Sequence, residues 1–202
     1  MQALVDQGHH VFAVCPRGAF TDKFADYGID VCTYTIDRKS FNPFKEITTF
    51  FKITSIFRQI KPDVLHAFTI KPCVYGALAS RFANIPSVYG AITGLGSIFI
   101  DANRGRISAA ACLSYLMKFA FQFVDKIVFQ NSDDLNFFVE RGILPRSKTA
   151  LIRSSGVDTE SFCMKSISSE RLDALRQRLS LPLAHVVVLM VCRAIRHMGV
   201  VD

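Results

Sequence analysis

Residues 63–97 read DVLHAFTIKPCVYGALASRFANIPSVYGAITGLGS. Two apolar runs, VLHAF at 64–68 and SVYGAI at 87–92, enclose a helix-forming segment that ends before Pro86. A polar loop follows each run, TIKP at 69–72 and TGLG at 93–96. In an open parallel α/β sheet, ligands bind where loops leave the carboxyl ends of the strands. The stretch therefore predicts a ligand site as well as a fold.

The alternation of strands and helices continues on both sides of this stretch. Apolar, β-branched runs predict strands at residues 10–15, 29–35, 64–68, 87–92, 126–130 and 149–152. Helices are predicted between them, at 20–27, 43–60, 73–83, 106–124 and 132–141. Short strands that alternate with helices are typical of βαβ units with right-handed crossovers. The predicted fold class is α/β with a parallel sheet.

Local signals mark several helix boundaries. Gly28 and Gly142 each follow a predicted helix, and glycine readily adopts the left-handed conformation found at helix ends. Asn131 or Ser132 can cap the helix that follows the run KIVFQ. We also expect Gly156 to adopt a backbone conformation that other residues avoid.

The two ends of the chain depart from the alternation. Residues 1–7 resemble the end of a helix that leads into the strand at 10–15, whereas a doubly wound sheet normally starts with a central strand. Residues 185–192, HVVVLMVC, predict a strand with no later strand to pair with, and an isolated strand cannot satisfy its own backbone groups. The pattern predicts a chain truncated at both ends.

Composition narrows the possible partners. The chain is 50% hydrophobic and 20% charged, which suits a packed α/β protein and excludes a disordered one. The 24 Lys and Arg against 17 Asp and Glu leave a net charge of +7. That excess suits an anionic partner such as a phosphorylated ligand, an anionic membrane surface or nucleic acid, and equally a basic surface that keeps the protein soluble.

The cysteines and the amino terminus predict a reducing compartment. Six cysteines, at positions 15, 32, 73, 112, 163 and 192, show no C-x-x-C pair and no zinc-ligand spacing. We expect buried free thiols, no metal site and a cytoplasmic location, because residues 1–8 lack the features of a signal peptide. The apolar segment 107–124 approaches membrane-spanning length, but Lys118 and Gln122 interrupt it and favour a helix buried against the sheet.

The predicted helix at 43–60 has two interpretations that the sequence leaves open. Its aromatic and aliphatic side chains are interleaved with cations: Phe50, Phe51, Ile53, Ile56 and Phe57 with Lys45, Lys52, Arg58 and Lys61. Such a helix can rest on an anionic membrane surface. A helix packed on the sheet predicts much the same pattern.

Five segments in a fixed order carry a family resemblance. They are LVDQGHHVFAVCPRG, KPDVLHAFTIKPCVYGALASRFANIPSVYGAITGLGSIF, VDKIVFQNSDDLNFFVERGIL, LIRSSGVDTESF and VVVLMVCRAIRHMGV. Together they resemble the family-4 glycosyltransferases, retaining enzymes with two Rossmann-like domains that face each other across a cleft, the GT-B fold. The second segment is similar to the acceptor-side core of a subgroup that builds bacterial surface polysaccharides.

The resemblance implies a domain plan. Residues 1–153 would form the acceptor-side domain, a Rossmann-like, doubly wound parallel sheet without the family's first strand. Residues 154–184 would be a hinge and connector, and 185–202 the first strand and loop of the donor-binding domain. The family's first strand with its Gly-rich turn, and the paired glutamates of its E-x7-E motif, are not among these 202 residues.

The resemblance also implies a function. It predicts transfer of a hexosyl or N-acetylhexosaminyl group from a nucleotide sugar to a lipid-linked or saccharide acceptor, in capsule, exopolysaccharide or lipopolysaccharide synthesis. The resemblance implies no further cofactor and no nucleic-acid partner, and it allows peripheral contact with the anionic inner face of the cell membrane. The alternative is a non-catalytic remnant that keeps only the acceptor domain, and we expect the 202-residue chain alone to be inactive. A nicotinamide-dependent dehydrogenase is disfavoured because no G-x-G-x-x-G follows a strand.

Site residues follow from the family pattern and from the predicted strand ends. The candidates for binding the acceptor or its sugar are His66, Thr69, Lys71, Thr93, Gly94, Gly96 and Asn131. Arg193 is the candidate for the donor diphosphate, but Met198 stands where the family has a lysine, and methionine cannot replace its charge. A packed histidine, a solvated loop lysine and a helix cap explain His66, Lys71 and Asn131 without a ligand. No residue is assigned a catalytic role.

Overall fold

The computed structural model describes residues 1–35, 43–95, 104–153, 156–163, 167–182, 186–189 and 191, with only the backbone of 43 and 104–110. The chain divides into two compact units, Met1–Ser155 and Gly156–Asp202. Each unit is described separately. The division into domains at 153 and 184 stays a prediction.

Strands and helices alternate through the first unit as the sequence predicts. The strands are β1 (Val11–Cys15), β2 (Ile29–Thr33), β3 (Val64–Phe68), β4 (Ser87–Ile92), β5 (Lys126–Phe129) and β6 (Thr149–Leu151). The helices are α1 (Gln2–Asp6), α2 (Pro43–Ile60), α3 (Ile70–Ala83), α4 (Arg104–Ala120) and α5 (Ser132–Glu140). Short 3₁₀ helices cover Thr21–Tyr27, Phe121–Phe123 and Arg146–Lys148.

All strand pairs in the described ranges are parallel. β1 pairs with β2, and β3, β4, β5 and β6 form a four-stranded sheet in chain order. Parallel strands in chain order with helices between them are the arrangement of repeated βαβ units. The predicted α/β class with a parallel, Rossmann-like sheet is confirmed.

Close packing of α3 on β4 holds the four-stranded sheet and its helices together. Cys73 on α3 is 2% exposed and lies directly over Gly90 in β4. A Cβ atom at Gly90 would lie 2.9 Å from the Cys73 sulfur and 2.6 Å from the Cδ1 atom of Ile127. Because real Cβ contacts are never this short, only glycine permits this approach. The position of α3 on the sheet therefore depends on the absence of a side chain at residue 90.

Helix ends follow the local signals in the sequence. The Asn131 side-chain oxygen accepts a hydrogen bond of 2.7 Å from the backbone N–H of Asp134, so Asn131 is the cap of α5. Gly28 and Gly142 have φ angles of 67° and 61°, in the left-handed region that favours glycine. These predicted boundaries are confirmed.

The prediction of buried thiols holds only in part. Cys73 is buried, and burial raises the pKa of its thiol to about 12. Cys15, Cys32 and Cys163 are half-buried, and Cys112 is exposed on α4, so the prediction is wrong for Cys112. An apolar neighbourhood in the sequence does not decide which face of a helix contacts the core. Position 192 lies outside the described residues.

Two further expectations concern membranes and metals. None of the helices in the described ranges combines the length and the apolar composition that crossing a bilayer requires. The described residues also bring together no group of three or more His, Cys, Asp or Glu side chains that could hold a metal ion.

The second unit contains a capped helix and an exposed apolar segment. Helix α6 (Ser169–Arg178) is capped by the Ser168 hydroxyl, and Gly156 has the unusual φ of 78° that we expected. The strand predicted at 185–192 is wrong for its described residues, 186–189 and 191, which lie outside any strand and are exposed. No described strand pairs with them, and an unpaired strand would leave its backbone groups unsatisfied.

Candidate functional site

Two loops leave the four-stranded sheet at the same edge. Thr69 follows β3, and Thr93 with Gly94 follows β4, one strand along. The backbone N–H of Thr69 donates a 2.8 Å hydrogen bond to the carbonyl of Ala91, so the first loop begins beside the end of β4. Thr69, Thr93 and Gly94 are all exposed. The structure therefore brings three of the predicted site residues to one edge of the sheet.

Thr69 has a strained backbone. Its φ and ψ angles are 70° and 162°, a combination found almost only at glycine, and it stands immediately before α3. Its hydroxyl does not cap the helix, although its carbonyl accepts a 3.0 Å bond from the N–H of Cys73. Such strain costs about 1–3 kcal/mol and concentrates at binding and catalytic sites. Thr69 is therefore the strongest single indication of a site at this edge.

The second loop contains a glycine with an unusual backbone conformation. Gly94 has a φ of 155°, and among the described residues no atom outside its chain neighbours lies within 4 Å of the place that a Cβ atom would occupy. Leu95, the next residue, packs partly against the core and anchors the loop. A ligand can thus approach the backbone of residue 94 closely. Gly96 lies outside the described residues.

Lys71 is held by an ion pair. Its ammonium group lies 2.9 Å from a carboxylate oxygen of Glu46, and the two side chains are only 22% and 21% exposed. Glu46 belongs to the first turn of α2 and Lys71 to the first turn of α3. The pair therefore joins the first turns of α2 and α3 beside the first loop. The Glu46 carboxylate also partly neutralises the positive charge that Lys71 would present to a phosphate.

His66 does not lie at the end of its strand. It is the third residue of β3, opposite Tyr89 of β4, and its ring centroid is 4.4 Å from that of Phe68. The ring is exposed on the sheet surface, while partial desolvation by its neighbours lowers the pKa of His66. A lowered pKa keeps the imidazole neutral at pH 7, able both to donate and to accept a hydrogen bond.

Asn131 is engaged as a helix cap at the next strand end. Besides accepting the bond from Asp134, its amide nitrogen donates a 3.0 Å hydrogen bond to the Asp134 carboxylate. The cap explains its position, and a role toward a sugar stays a prediction. Arg193 and Met198 lie outside the described residues.

A cavity that the sequence did not indicate lies at the carboxyl ends of β1 and β2. Its volume is ≈ 580 Å³, and its lining consists of Pro16, Arg17, Thr33, Tyr34, Thr35, Thr48, Thr49 and Lys52. The Thr49 hydroxyl donates a 3.3 Å bond to the carbonyl of Thr35, which ties α2 to the end of β2. Two cations and several hydroxyl groups suit an anionic or sugar-like ligand. The loop PRG at residues 16–18, which follows the first predicted strand, is the sequence feature from which this cavity could have been predicted.

Comparison with known families identifies the family of the chain. A family model described as glycosyl transferase 4-like matches residues 1–131. The chain belongs to this family. The matched residues of this glycosyl transferase 4-like chain include both loops, the Lys71–Glu46 pair and the cavity beside α2.

Two further comparisons found similar proteins, one by sequence and one by fold. A Campylobacter jejuni protein is 29% identical over 200 residues, which are 99% of this chain and 53% of that protein. It is named N,N'-diacetylbacillosaminyl-diphospho-undecaprenol alpha-1,3-N-acetylgalactosaminyltransferase. A glycosyltransferase structure from Rickettsia africae ESF-5 superimposes with a TM-score of 0.64 at 17% identity, over 91% of this chain and 44% of that one. The glycosyl transferase 4-like chain thus spans about half the length of the curated relative it matches.

Proposed function

We propose that the protein is a glycosyltransferase that moves a sugar from a nucleotide-sugar donor to a lipid-linked acceptor, and that its first unit binds the acceptor. The observation that carries the proposal is the edge where Thr69, Thr93 and Gly94 lie exposed, with the strained backbone of Thr69 at its centre. The name of the Campylobacter jejuni relative, which specifies a diphospho-undecaprenol acceptor, supports the choice of a lipid-linked one. By family resemblance the transfer retains the anomeric configuration.

The chemistry of the first unit suits such an acceptor. Threonine hydroxyls and accessible backbone groups beside Gly94 can bond to sugar hydroxyls, and a neutral His66 can do so from the sheet surface. Arg17 and Lys52 in the cavity beside α2 offer two cations to a diphosphate. Positioning the acceptor hydroxyl is one requirement of the reaction, and stabilising the leaving nucleotide diphosphate is another. We assign the stabilisation of the leaving nucleotide diphosphate to Arg193, by resemblance to the family.

A transfer assay tests the proposed function. The protein is incubated with a panel of radiolabelled nucleotide sugars and a short polyprenyl-diphosphate-linked N-acetyl sugar. From the 202 residues alone we expect acceptor binding without transfer. In a protein that carries these residues together with the family's paired glutamates, we expect label to enter the lipid-extractable product with one of the donors. Label that stays entirely in the aqueous phase, together with no binding of the acceptor by calorimetry, would contradict the proposal.

A non-catalytic acceptor-binding protein is the second candidate. It is favoured by the location of the described site residues, all of which lie in the first unit. It predicts that the polyprenyl-diphosphate-linked sugar binds while no nucleotide sugar is consumed. The same assay therefore separates the two candidates, since binding and transfer are measured independently.

Substitutions at Thr69 test whether its strain and its hydroxyl serve the acceptor. Thr69→Gly relieves a strain of about 1–3 kcal/mol at an entropic cost of about 0.5–1 kcal/mol, so we expect the protein to become more stable. Thr69→Ala keeps most of the strain and removes the same hydroxyl. Both variants should bind the acceptor about three- to tenfold more weakly, because one hydrogen bond contributes about 0.5–1.5 kcal/mol.

Urea unfolding and calorimetric titration measure the two effects separately. If Thr69→Gly proves less stable than Thr69→Ala, the backbone at residue 69 is not strained. If both bind the acceptor as the unaltered protein does, the hydroxyl plays no part in binding.

Substitutions in the ion pair test the phosphate role of Lys71. Lys71→Met removes the charge, and we expect acceptor affinity to fall about ten- to hundredfold if the ammonium meets the diphosphate, since a charge-assisted bond contributes about 1.5–3 kcal/mol. Glu46→Gln frees the same charge and should leave affinity unchanged or raise it. Each variant should cost about 1 kcal/mol of stability, because the pair is only partly buried.

Lys126→Met is the matched control, because Lys126 is exposed at the amino end of β5, away from the loops. Equal and small losses of affinity in Lys71→Met and Glu46→Gln would show that the pair only joins α2 to α3. Affinity is measured by titration with the polyprenyl-diphosphate-linked sugar.

A further inference from the structure

The strand β2 has one free edge in the part of the chain that the structure describes. It pairs with β1 in a parallel register that runs from Ile29 to Thr33, and with no described strand on its other side. A free edge presents unpaired backbone N–H and C=O groups to which another strand can bond. Natural proteins often protect such edges with lysine, proline or a β-bulge. The five residues of β2 include neither lysine nor proline, and their register with β1 contains no bulge.

A cavity of ≈ 660 Å³ follows this edge and is called the edge groove. Ile29, Asp30 and Val31 of β2 all line it. These residues are consecutive, and successive side chains of a strand lie on opposite faces of the sheet. A cavity that contacts all three therefore lies along the backbone edge of β2 rather than over one face of the sheet.

The 3₁₀ helix Thr21–Tyr27 forms a second wall of the edge groove, through Thr21, Asp22 and Ala25. Thr21 is buried, and its hydroxyl accepts a 2.6 Å hydrogen bond from the N–H of Gly18. The same hydroxyl donates a 2.7 Å bond to the carbonyl of Gly18. These two bonds fix the turn that leads into the wall, so the groove is preformed.

The charges in the edge groove have both signs. Arg17 stands two residues after the end of β1, and Asp30 is the second residue of β2. The cation therefore lies toward the carboxyl ends of the strands and the anion toward their amino ends. Arg17 lies 3.9 Å from Asp22, and Asp30 lies 2.7 Å from His10, but the Arg17 and Asp30 side chains are 80% and 64% exposed. Exposed ion pairs are weak, so both charges remain available to another molecule.

We propose that a second copy of this chain binds along the edge groove, with the β2 strands of the two copies paired antiparallel across a two-fold axis. Two identical edges form a closed, symmetric pair in this arrangement. The amino end of each strand then lies beside the carboxyl end of the other. Arg17 of each copy is thereby placed near Asp30 of the second copy. The two parallel sheets of β1 and β2 become one sheet with two equivalent ion pairs at its centre.

Charge favours a second copy over a ligand of one sign. The edge groove contains one guanidinium and two carboxylates, those of Arg17, Asp22 and Asp30. An anion would meet the carboxylates and a cation would meet the guanidinium, whereas a second copy presents both signs in the reverse order. A surface without net positive charge is also where two copies of a chain with a net charge of +7 can approach each other.

Sedimentation of the full chain over a wide range of concentrations tests the proposal. We expect an equilibrium between monomer and dimer that salt shifts toward the monomer, because exposed charges are screened. Hydrogen exchange of the backbone N–H groups of residues 29–33 should slow in the dimer, whereas that of β6, at another sheet edge, should not change. Neither donor nor acceptor is present, so the result does not depend on the proposed function.

Charge reversal tests the ion pairs between the two copies. Asp30→Arg and Arg17→Asp each bring like charges together at two places, and each should weaken dimerisation more than about tenfold. In the double variant Asp30→Arg/Arg17→Asp the two signs are exchanged, and dimerisation should return to within about threefold of that of the unaltered chain. The matched controls are Asp173→Arg and Arg178→Asp, both exposed on α6 in the second unit, and they should leave dimerisation unchanged.

Circular dichroism accompanies every variant, and Asp30→Asn or Arg17→Gln, which remove a charge without reversing it, replaces any variant that unfolds. Because Arg17 also lines the cavity beside α2, acceptor binding is not a readout for its variants. A chain that stays monomeric at every concentration overturns the proposal. So does a dimer that both single variants form as tightly as the unaltered chain, a double variant without recovery, or unchanged exchange at residues 29–33.

Discussion

Phe138→Ala is expected to lower the free energy of unfolding by about 3–5 kcal/mol, the usual cost of truncating a fully buried aromatic side chain. Phe138 on α5 has no exposed surface, and its ring centroid lies 5.1 Å from that of Phe129 and 6.5 Å from that of Phe121. Phe129 is the last residue of β5 and Phe121 follows α4. The three rings thus join a strand and two helical segments, and the cavity left by alanine removes contacts on all sides. A loss of this size is a large fraction of the stability of an ordinary domain, which is about 5–15 kcal/mol.

The neighbouring Phe137 provides the matched control. It lies one residue earlier on the same helix but is only half-buried, with its ring under the guanidinium of Arg141 at 4.3 Å. Phe137→Ala therefore changes helix propensity equally and removes much less buried area. We expect it to cost less than half as much in urea unfolding. Equal losses in the two variants would mean that the core around Phe138 is not as closely packed as the structure shows.

Gly90→Ala is expected to lower the free energy of unfolding by about 1–3 kcal/mol, although the change adds a single methyl group. The new atom would meet the Cys73 sulfur at 2.9 Å and the Cδ1 atom of Ile127 at 2.6 Å. Ile127 can turn its terminal methyl aside, but Cys73 is short, buried and fixed on α3. Relief therefore requires α3 to move away from β4, and Thr69 and Lys71 at the start of that helix move with it. We expect weaker acceptor binding as well as lower stability.

A compensating substitution separates this clash from any general effect of alanine. In Gly90→Ala/Cys73→Ala the sulfur is absent, so part of the lost stability should return in a double-mutant cycle. Gly18→Ala is the control, because a Cβ atom there would meet the Thr21 hydroxyl oxygen at 3.8 Å, an ordinary van der Waals distance. No recovery in the double variant would show that the clash with Cys73 is not the cause.

Sequence reasoning succeeded where structure depends on neighbours in the chain. The bounds of β3, β4 and α2 were predicted to the residue, because an apolar run or a helical period is complete within each segment. The cap at Asn131 was predicted for the same reason, since its partner Asp134 is three residues away. The strand predicted at 185–192 is wrong for its described residues, because a strand requires a second strand to pair with and the sequence of one segment does not provide it.

The candidate site was predicted in position but not in detail. Thr69, Thr93 and Gly94 were expected at strand ends, and the parallel register places those ends at one edge. The ion pair between Lys71 and Glu46, which are 25 positions apart, could not be inferred because it depends on how α2 packs against α3. His66 was expected at a strand end and lies in the middle of β3.

The sequence by itself determined the order of strands and helices, the loops at their carboxyl ends and the family, since these are encoded in short, contiguous patterns. Only the tertiary structure decided which apolar side chains of α2 enter the core and which remain outside. It also decided the strained conformation of Thr69, whose N–H is bonded to Ala91 of the neighbouring strand. The physical reason is the same in both cases: burial and backbone strain depend on residues that are distant in the chain and adjacent only after folding.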